Sequence, residues 1–393
     1  MTKILGLILE LNPFHNGHLY FINKIKEKVK PACTIAVLSG NYTMRGDLSV
    51  IDKFTKTSLL LTAGIDIVLE LPFVSAVNSA DYFAGNAVNT LGELAITDIG
   101  FGVETDDAHK LNWMKDIIDN PEFNLLLHQH LKKGLSYPAG CLQALKHFTN
   151  DHDIIESFTL PNNTLAIQYL RALKQTGKPI KTTLIKRIAN NYYDETITGK
   201  LASATALRKL LRKNENISSY VPAFCQNVSY INPEKAEKNL LYLLKYNFIH
   251  RDNNYFQNIL GINEGIENRF AAFLDQATDY QQFIKRMQTK RYTANKIKRL
   301  ILHIILNTDK TYENTFRHYV RMLGAGPKGL SYIRSMPKTI KNNIITTLKH
   351  HDDIMVTTEY RASRLYDLIT DKSLAVNEFK IPIIGGKNEY ETY

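Results

Sequence analysis

Apolar residues in the first half of the chain gather in short continuous runs, separated by stretches in which they recur every three or four positions. The runs at residues 4–9, 34–38, 65–69, 96–101 and 180–186 are rich in Ile, Leu and Val and have the length of strands covered on both faces. The intervening spacing at residues 18–28, 53–63, 80–91, 163–174 and 204–213 predicts amphipathic helices. Strand–helix alternation of this kind implies right-handed crossovers and an α/β protein with a Rossmann-like open parallel sheet. Ligands of such sheets bind beyond the carboxyl ends of the strands, so the residues just after each run should carry the chemistry.

Past Val221-Pro222 the alternation stops. Residues 233–246, 254–260, 266–276, 281–288, 293–306 and 311–323 all read as helices. A boundary between Leu210 and Asn227 divides the chain into an α/β part, residues 1–220, and a C-terminal α-helical domain, residues 221–393. The tail from Asp371, with Pro382 and Gly385-Gly386, is expected to be less ordered.

At 393 residues, 44% of them hydrophobic, the chain can bury a large core. The first apolar run is too short to span a bilayer and lacks a small-residue cleavage site, so neither a membrane segment nor a secretory leader is expected and the location reads as cytoplasmic. Cys33, Cys141 and Cys225 show no spacing for a disulfide or zinc site, and no metal ligands are assigned. The formal charge of +11 does change the picture, because a surplus of that size favours an acidic polymer, above all nucleic acid, over a small metabolite.

The most informative stretch runs from Leu7, Ile8 and Leu9 through Glu10, Leu11, Asn12, Pro13, Phe14, His15, Asn16, Gly17 and His18 to Leu19 and Tyr20. It joins a buried strand to a helix start, where free backbone N–H groups and the helix dipole favour an anion, and Gly17 lets a phosphate approach the backbone. His15 and His18 are three residues apart and fall on one face of the first turn. The plain alternative is a polar cap at a helix start. Far downstream, Ser203, Thr205 and Arg208 open a second helix with two hydroxyls and a guanidinium, again suited to phosphate oxygens, although Ser203 alone would read as an N-cap. Lys53, Arg187 and Arg208 are further cations for a triphosphate, and Arg45 follows the second strand. Asn162 and Asn163 offer amides for an adenine edge or a ribose, or a simple cap. In the helical half, Lys285, Arg286, Lys290, Arg291, Tyr292, Lys296, Lys298 and Arg299 form the densest basic region, read either as a nucleic-acid surface or as a solvated face.

The first motif resembles the His-x-Gly-His signature of the nucleotidylyltransferase superfamily, and the second resembles its Ser-x-Thr-x-x-Arg box. Together with Ser39-Gly40-Asn41, Arg45-Gly46, Glu70-Leu71-Pro72, Ser136-Tyr137-Pro138, Pro161-Asn162-Asn163 and residues 289–293, they are similar to the bacterial tRNA(Met) cytidine acetate ligases. The resemblance implies a nucleotidylyltransferase-type fold. It also implies that acetate and ATP give acetyl-adenylate and pyrophosphate, and that the acetyl group passes to N4 of the wobble cytidine of elongator tRNA(Met). Carried over by position, His15, His18, Ser203, Thr205 and Arg208 would be catalytic. Residues Leu7 to Tyr20 with Gly102, Asn162 or Asn163, and Arg187 would hold ATP, with Mg²⁺ on the departing pyrophosphate. Val103 stands where the family tends to have Ser, and the segment 188–194 lacks a His often found before Asp194. A small-molecule adenylyltransferase and a non-catalytic RNA-binding protein are the competing readings, and the oligomeric state is not legible.

Overall fold

A computed structural model describes residues 2–187, 202–313, 319–349, 351 and 353–385. The segment 188–194, with its missing His, lies outside the described residues. Among the described residues eight strands form one sheet: β1 Ile4–Leu9, β2 Cys33–Ser39, β3 Ile67–Leu71, β4 Asp98–Val103, β5 Lys181–Lys186, β6 Val320–Ala325, β7 Ile344–Ile345 and β8 Ile383–Ile384. Their order is β5-β4-β1-β2-β3-β6-β7, with β8 paired to β6. β1 to β5 are parallel, and β6 runs antiparallel to β3, with Ile67 opposite Ala325 and Glu70 opposite Arg321. The chain winds outward from β1 through β2 to β3 and then returns to β1's other edge as β4. That reversal is a topological switch point, and the crevice beyond the carboxyl ends of β1 and β4 is the expected ligand site.

The central strands are covered on both faces, which is why β2 and β3 carry no polar alternation: every residue of both is buried. On one face, α1 (Asn16–Val29) and α2 (Lys53–Thr62) share a single apolar cluster with the helices Pro233–His250, Ala294–Leu306 and Ile354–Thr370. On the other, Ala80–Glu93 and Pro161–Thr176 cover the sheet.

Three departures from the sequence reading stand out. Residues 311–323, expected as one helix, hold the end of a 3-10 turn (Lys310–Glu313) and the start of β6. The run Val320–Ala325 is buried throughout, so its apolar content fits a covered strand as well as a helix, and only the sheet edge left by β3 decides between them. The described part of the tail, residues 371–385, contributes β8. Helices Ala108–Ile118, Pro121–Lys132, Tyr137–Phe148 and His152–Thr159 were not anticipated, although Asp107, Asn120, Ser136 and Asp151 cap them and Pro121 and Pro138 sit in two of their first turns.

Among the described residues no helix is long and apolar enough to cross a membrane.

Candidate active site

The switch point is where the first motif lies. β1 ends at Leu9, and the next six residues turn sharply, with Leu11 at φ +55°. Asn12 holds this turn: its amide donates to Leu48 O (3.0 Å) and its carbonyl oxygen accepts from Val50 N (2.8 Å). His15 is the N-cap of α1, and its Nδ1 accepts from Gly17 N at 3.0 Å. His18 Nδ1 in turn accepts from His15 N at 3.3 Å. Two imidazoles thus take the places usually filled by a capping box of Ser and Glu. Since Nδ1 accepts in both rings, a neutral ring carries its proton on Nε2.

The two rings are 3.8 Å apart between centroids. Burial, then the charges of Arg187 and Arg208, push the His15 pKa down to about 3, and burial, His15 and Arg187 hold His18 well below its ordinary value. Both are neutral near pH 7. His15 Nε2 is buried and has no hydrogen-bond partner among the described residues. A buried donor left unpaired costs roughly 1–3 kcal/mol, so this atom calls for a partner such as a bound ligand or a water.

These shifts make a stability prediction. An unfolded imidazole takes up its proton near pH 6.5, before the folded one, so stability is level above that pH and is lost as pH falls from 6.5 toward about 3. The loss is about 1.4 kcal/mol per pH unit for each ring. Denaturant titrations across this window should show His15→Asn gaining stability relative to the parent as the solution becomes more acid. A constant difference would contradict the neutral, buried ring.

The second motif meets the first. Ser203 caps the helix Ala204–Arg212 through Ala206 N (3.1 Å), while Arg208 donates to Asn12 O (2.8 Å) and to Thr205 Oγ1 (3.2 Å). Arg208 therefore fastens its helix start to the turn preceding His15. From the β4 side, Arg187 donates to Asn162 Oδ1 at 3.4 Å, and Gly102 lies beside it, a Cβ there falling 3.7 Å from Arg187 Cγ. The two asparagines separate in role. Asn163 is fully buried, accepting from Glu104 N (2.9 Å) and Thr105 N (3.2 Å), and Glu104 binds back to Asn162 and Asn163. Asn163 fixes the end of β4, and Asn162 is the one turned toward Arg187. Val103 is buried, so Glu104 is the polar contact at that strand end.

Lys53 does not reach the crevice. It is fully buried and ion-paired with Glu70, Glu359 (2.8 Å) and Glu378 (2.7 Å). Lys56, one turn further along α2, is the lysine at the strand ends: its ammonium donates to Glu10 O (3.0 Å), Ser39 O (2.9 Å) and Gly40 O (2.6 Å). Sequence spacing placed a lysine of α2 near the ligand but chose the wrong turn, because both look alike until the sheet is assembled. Glu10 itself accepts from Met44 N at 2.7 Å, and Arg45 lies within electrostatic reach of Glu10 and Asp47.

The basic region borders this crevice from the helical side. Lys298 pairs with Asp47 (2.7 Å) and Arg299 donates to Met44 O (3.1 Å). Gly46, at φ +77°, packs so closely on this helix that a Cβ would lie 2.6 Å from Arg299 N. Lys285, Arg286 and Lys290 are exposed, and Arg291 and Lys296 are half-buried, Arg291 donating to Leu131 O (3.1 Å). Tyr292 is 5% exposed, its hydroxyl donating to Asn263 O (2.6 Å) and its ring under Lys296 Nζ at 4.1 Å, which leaves it as a packing residue.

A capped pair of neutral imidazoles, two arginines and two helix starts converge at a Rossmann-type switch point, the arrangement expected of a nucleotide-binding protein. Residues 2–380 match the family described as HIGH Nucleotidyl Transferase. A tRNA(Met) cytidine acetate ligase of Thermosipho africanus is 35% identical over 378 residues, 93% of this chain and 89% of that protein. One from Staphylococcus aureus is 33% identical over 386 residues, 97% and 99% of the two chains. The crystal structure of apo Thermotoga maritima TmcAL aligns with a TM-score of 0.86 at 28% identity, covering 98% of this chain and 99% of that one. The same protein bound with alpha-thio ATP gives 0.86 at 29% over the same shares. The chain belongs to the tRNA(Met) cytidine acetate ligase family and is a ligase.

Proposed function

We propose that this chain joins acetate to ATP as acetyl-adenylate and then acetylates N4 of the wobble cytidine of elongator tRNA(Met). The observation that carries the reading is the buried, neutral His15 Nε2 donor, without a partner among the described residues and within electrostatic reach of Arg187 and Arg208.

In the first step a carboxylate oxygen of acetate attacks the α-phosphorus of ATP, and the bond to the β,γ-pyrophosphate breaks. Charge grows on the α-phosphate oxygens in that transition state. Nε2–H groups of His15 and His18 would donate to those oxygens without giving up a proton, since neither ring titrates near neutrality. The helix start at Ser203 and Thr205, with Arg208, would hold the β- and γ-phosphates opposite, and Arg187 with Asn162 and Gly102 would border the nucleoside. No protein nucleophile is needed. In the second step the cytidine amine attacks the acetyl carbonyl carbon, AMP departs, and the amine proton passes to solvent. Here the protein's task is to hold an unpaired base beside the anhydride.

Mg²⁺ enters this reading only with the nucleotide. Among the described residues no group of three or more His, Cys, Asp or Glu is placed to hold a metal ion, and near the crevice Glu10, Asp47 and Glu104 are engaged by Met44, Lys298 and Asn162-Asn163. These residues do not make a protein-held metal site, so no step is routed through one.

The tRNA would lie on the helical half, on Lys285, Arg286, Lys290, Arg291, Lys296, Lys298 and Arg299, the last three on the helix Ala294–Leu306, which reaches the loop beside the crevice through Lys298 and Arg299. Residues 1–220 would then supply the adenylation chemistry and residues 221–393 most of the RNA contacts. Pyrophosphate release measured with acetate, with other carboxylates and with or without tRNA tests the reading; release that ignores acetate would point to a different acceptor. Gly17→Ala offers a local check, because a Cβ at that position would sit 2.9 Å from His15 Cε1 and 3.0 Å from Nδ1 and force the ring aside. We expect acetate-dependent release to fall by about tenfold or more with the thermal transition nearly unchanged, as a misplacement of about 1 Å can lower rates by about a hundredfold.

A further inference from the structure

The helix Pro233–His250 buries Ala236, Leu240, Leu241 and Leu244. Its other face presents Lys238, Tyr242, Tyr246 and His250, each four residues after the last, which places them in one line. At a rise of about 1.5 Å per residue the line is about 18 Å long. Tyr242 is 57% and Tyr246 60% exposed. Lys238 Nζ lies 5.8 Å from the Tyr242 ring centroid, and the His250 ring stacks on Tyr246 at 5.6 Å with 12° between planes. Each tyrosine is therefore oriented by a basic neighbour while more than half of it meets solvent.

We propose that this ridge is a second RNA surface, on which unpaired bases stack, separate from the basic region at 285–299. The proposal rests on tRNA being the substrate. Three observations favour RNA over another occupant. Lys238, Lys245, His250 and Arg251 flank the rings, while Glu237 is paired with Arg212 and Glu234 and Asp252 lie near the two ends, so the face attracts a polyanion and repels a second copy of itself. Among the described residues after 220, Tyr242 and Tyr246 are the exposed large aromatic side chains, since Tyr292 is packed inside. Arg212 of the Ser203 helix binds Glu237 at 2.8 Å, immediately before Lys238, so the ridge starts beside an element of the adenylation site. Aromatic rings next to cations are the usual platform for single-stranded bases.

Fluorescence anisotropy with a tRNA(Met) transcript tests this. A Tyr242→Ala, Tyr246→Ala double variant should bind about tenfold or more weakly, with an unchanged dependence of log affinity on log salt, because stacking is lost and no charge is. The Tyr242→Phe, Tyr246→Phe variant should keep parental affinity, and a fully paired RNA duplex should be bound equally by all three proteins. Acetate-dependent pyrophosphate release without RNA should be equal as well, which shows that the variants fold. If the parent binds the transcript and the alanine variant binds it equally, the ridge is not an RNA surface and the tRNA reading survives. If the parent does not bind it, both fall. RNA affinity kept while the sedimentation coefficient changes would mark the ridge as a self-contact and overturn the proposal.

Discussion

His15→Asn should lower acetate-dependent pyrophosphate release about a hundred- to a thousandfold while leaving the fold nearly intact. Asn is among the best N-cap residues, so its side-chain oxygen can accept from Gly17 N as Nδ1 does now, and the start of α1 should be kept. What Asn lacks is a donor at the position of Nε2, and losing one preorganised donor to a transition-state oxyanion has an effect of this size. Because the interaction strengthens as charge develops, the loss should appear mainly in kcat, with the KM for ATP changed much less. His15→Ala removes cap and donor together and should add roughly 1 kcal/mol of instability to a similar kinetic loss. Steady-state kinetics with thermal unfolding of both variants separates the two functions of the ring. An unimpaired Asn variant would show that His15 serves the helix alone.

Lys53→Met should destabilise the protein by about 3–5 kcal/mol, because it leaves buried carboxylates without their cation. Lys53 and Arg321 are buried together with Glu70, Glu359 and Glu378, and Arg321 pairs with Glu70 at 2.8 Å and with Glu378. Two cations face three carboxyls, so one carboxyl must stay protonated or remain uncompensated. Burial and then the charge of Glu70 push Glu359 up to about 7, while Lys53 and Arg321 overcome burial to hold Glu70 down at about 2. Without Lys53 the group would carry one cation against three acids. The cluster ties α2 and β3 to β6, the Ile354–Thr370 helix and the turn Ala375–Phe379, so the loss should be felt across the sheet edge. The sign with pH follows from the shifts. Glu70, lowered, adds stability above its ordinary pKa of 4.5 that disappears as pH falls toward 2, whereas Glu359, raised, gives its contribution below 4.5 and loses it as pH climbs through about 7. The deficit of Lys53→Met should accordingly be greatest near neutral pH and shrink in acid. Denaturant unfolding at several pH values measures it, and a deficit below about 1 kcal/mol would mean that the cluster is solvated.

Much of the site could be read from the sequence because its parts are local. A strand run, a stop at Asn12-Pro13 and a helix start lie within a dozen residues, and cap geometry follows from nearest neighbours. The meeting of His15 with Arg208 was legible only by resemblance, since no periodicity shows that Arg208 donates to Asn12 O across 196 positions. Long-range ionic pairing was not legible at all. Lys53, Arg321 and Glu378 are ordinary charged residues in the sequence, and what makes them a core is β6 joining β3, which brings Arg321 to Glu70 across 251 positions. The same long-range event turned the helical reading of residues 311–323 into a strand. Tyr292 reads as part of a nucleic-acid surface because its neighbours are basic, whereas its hydroxyl finds Asn263 O inside the protein.

The most direct test is exchange of radiolabelled pyrophosphate into ATP, in the absence of tRNA, by the parent and by His15→Asn. Acetyl-adenylate formation at the paired imidazoles requires exchange that appears only when acetate is added and that falls about a hundredfold or more in the variant. Exchange that is independent of acetate, or equal in the two proteins, would contradict it.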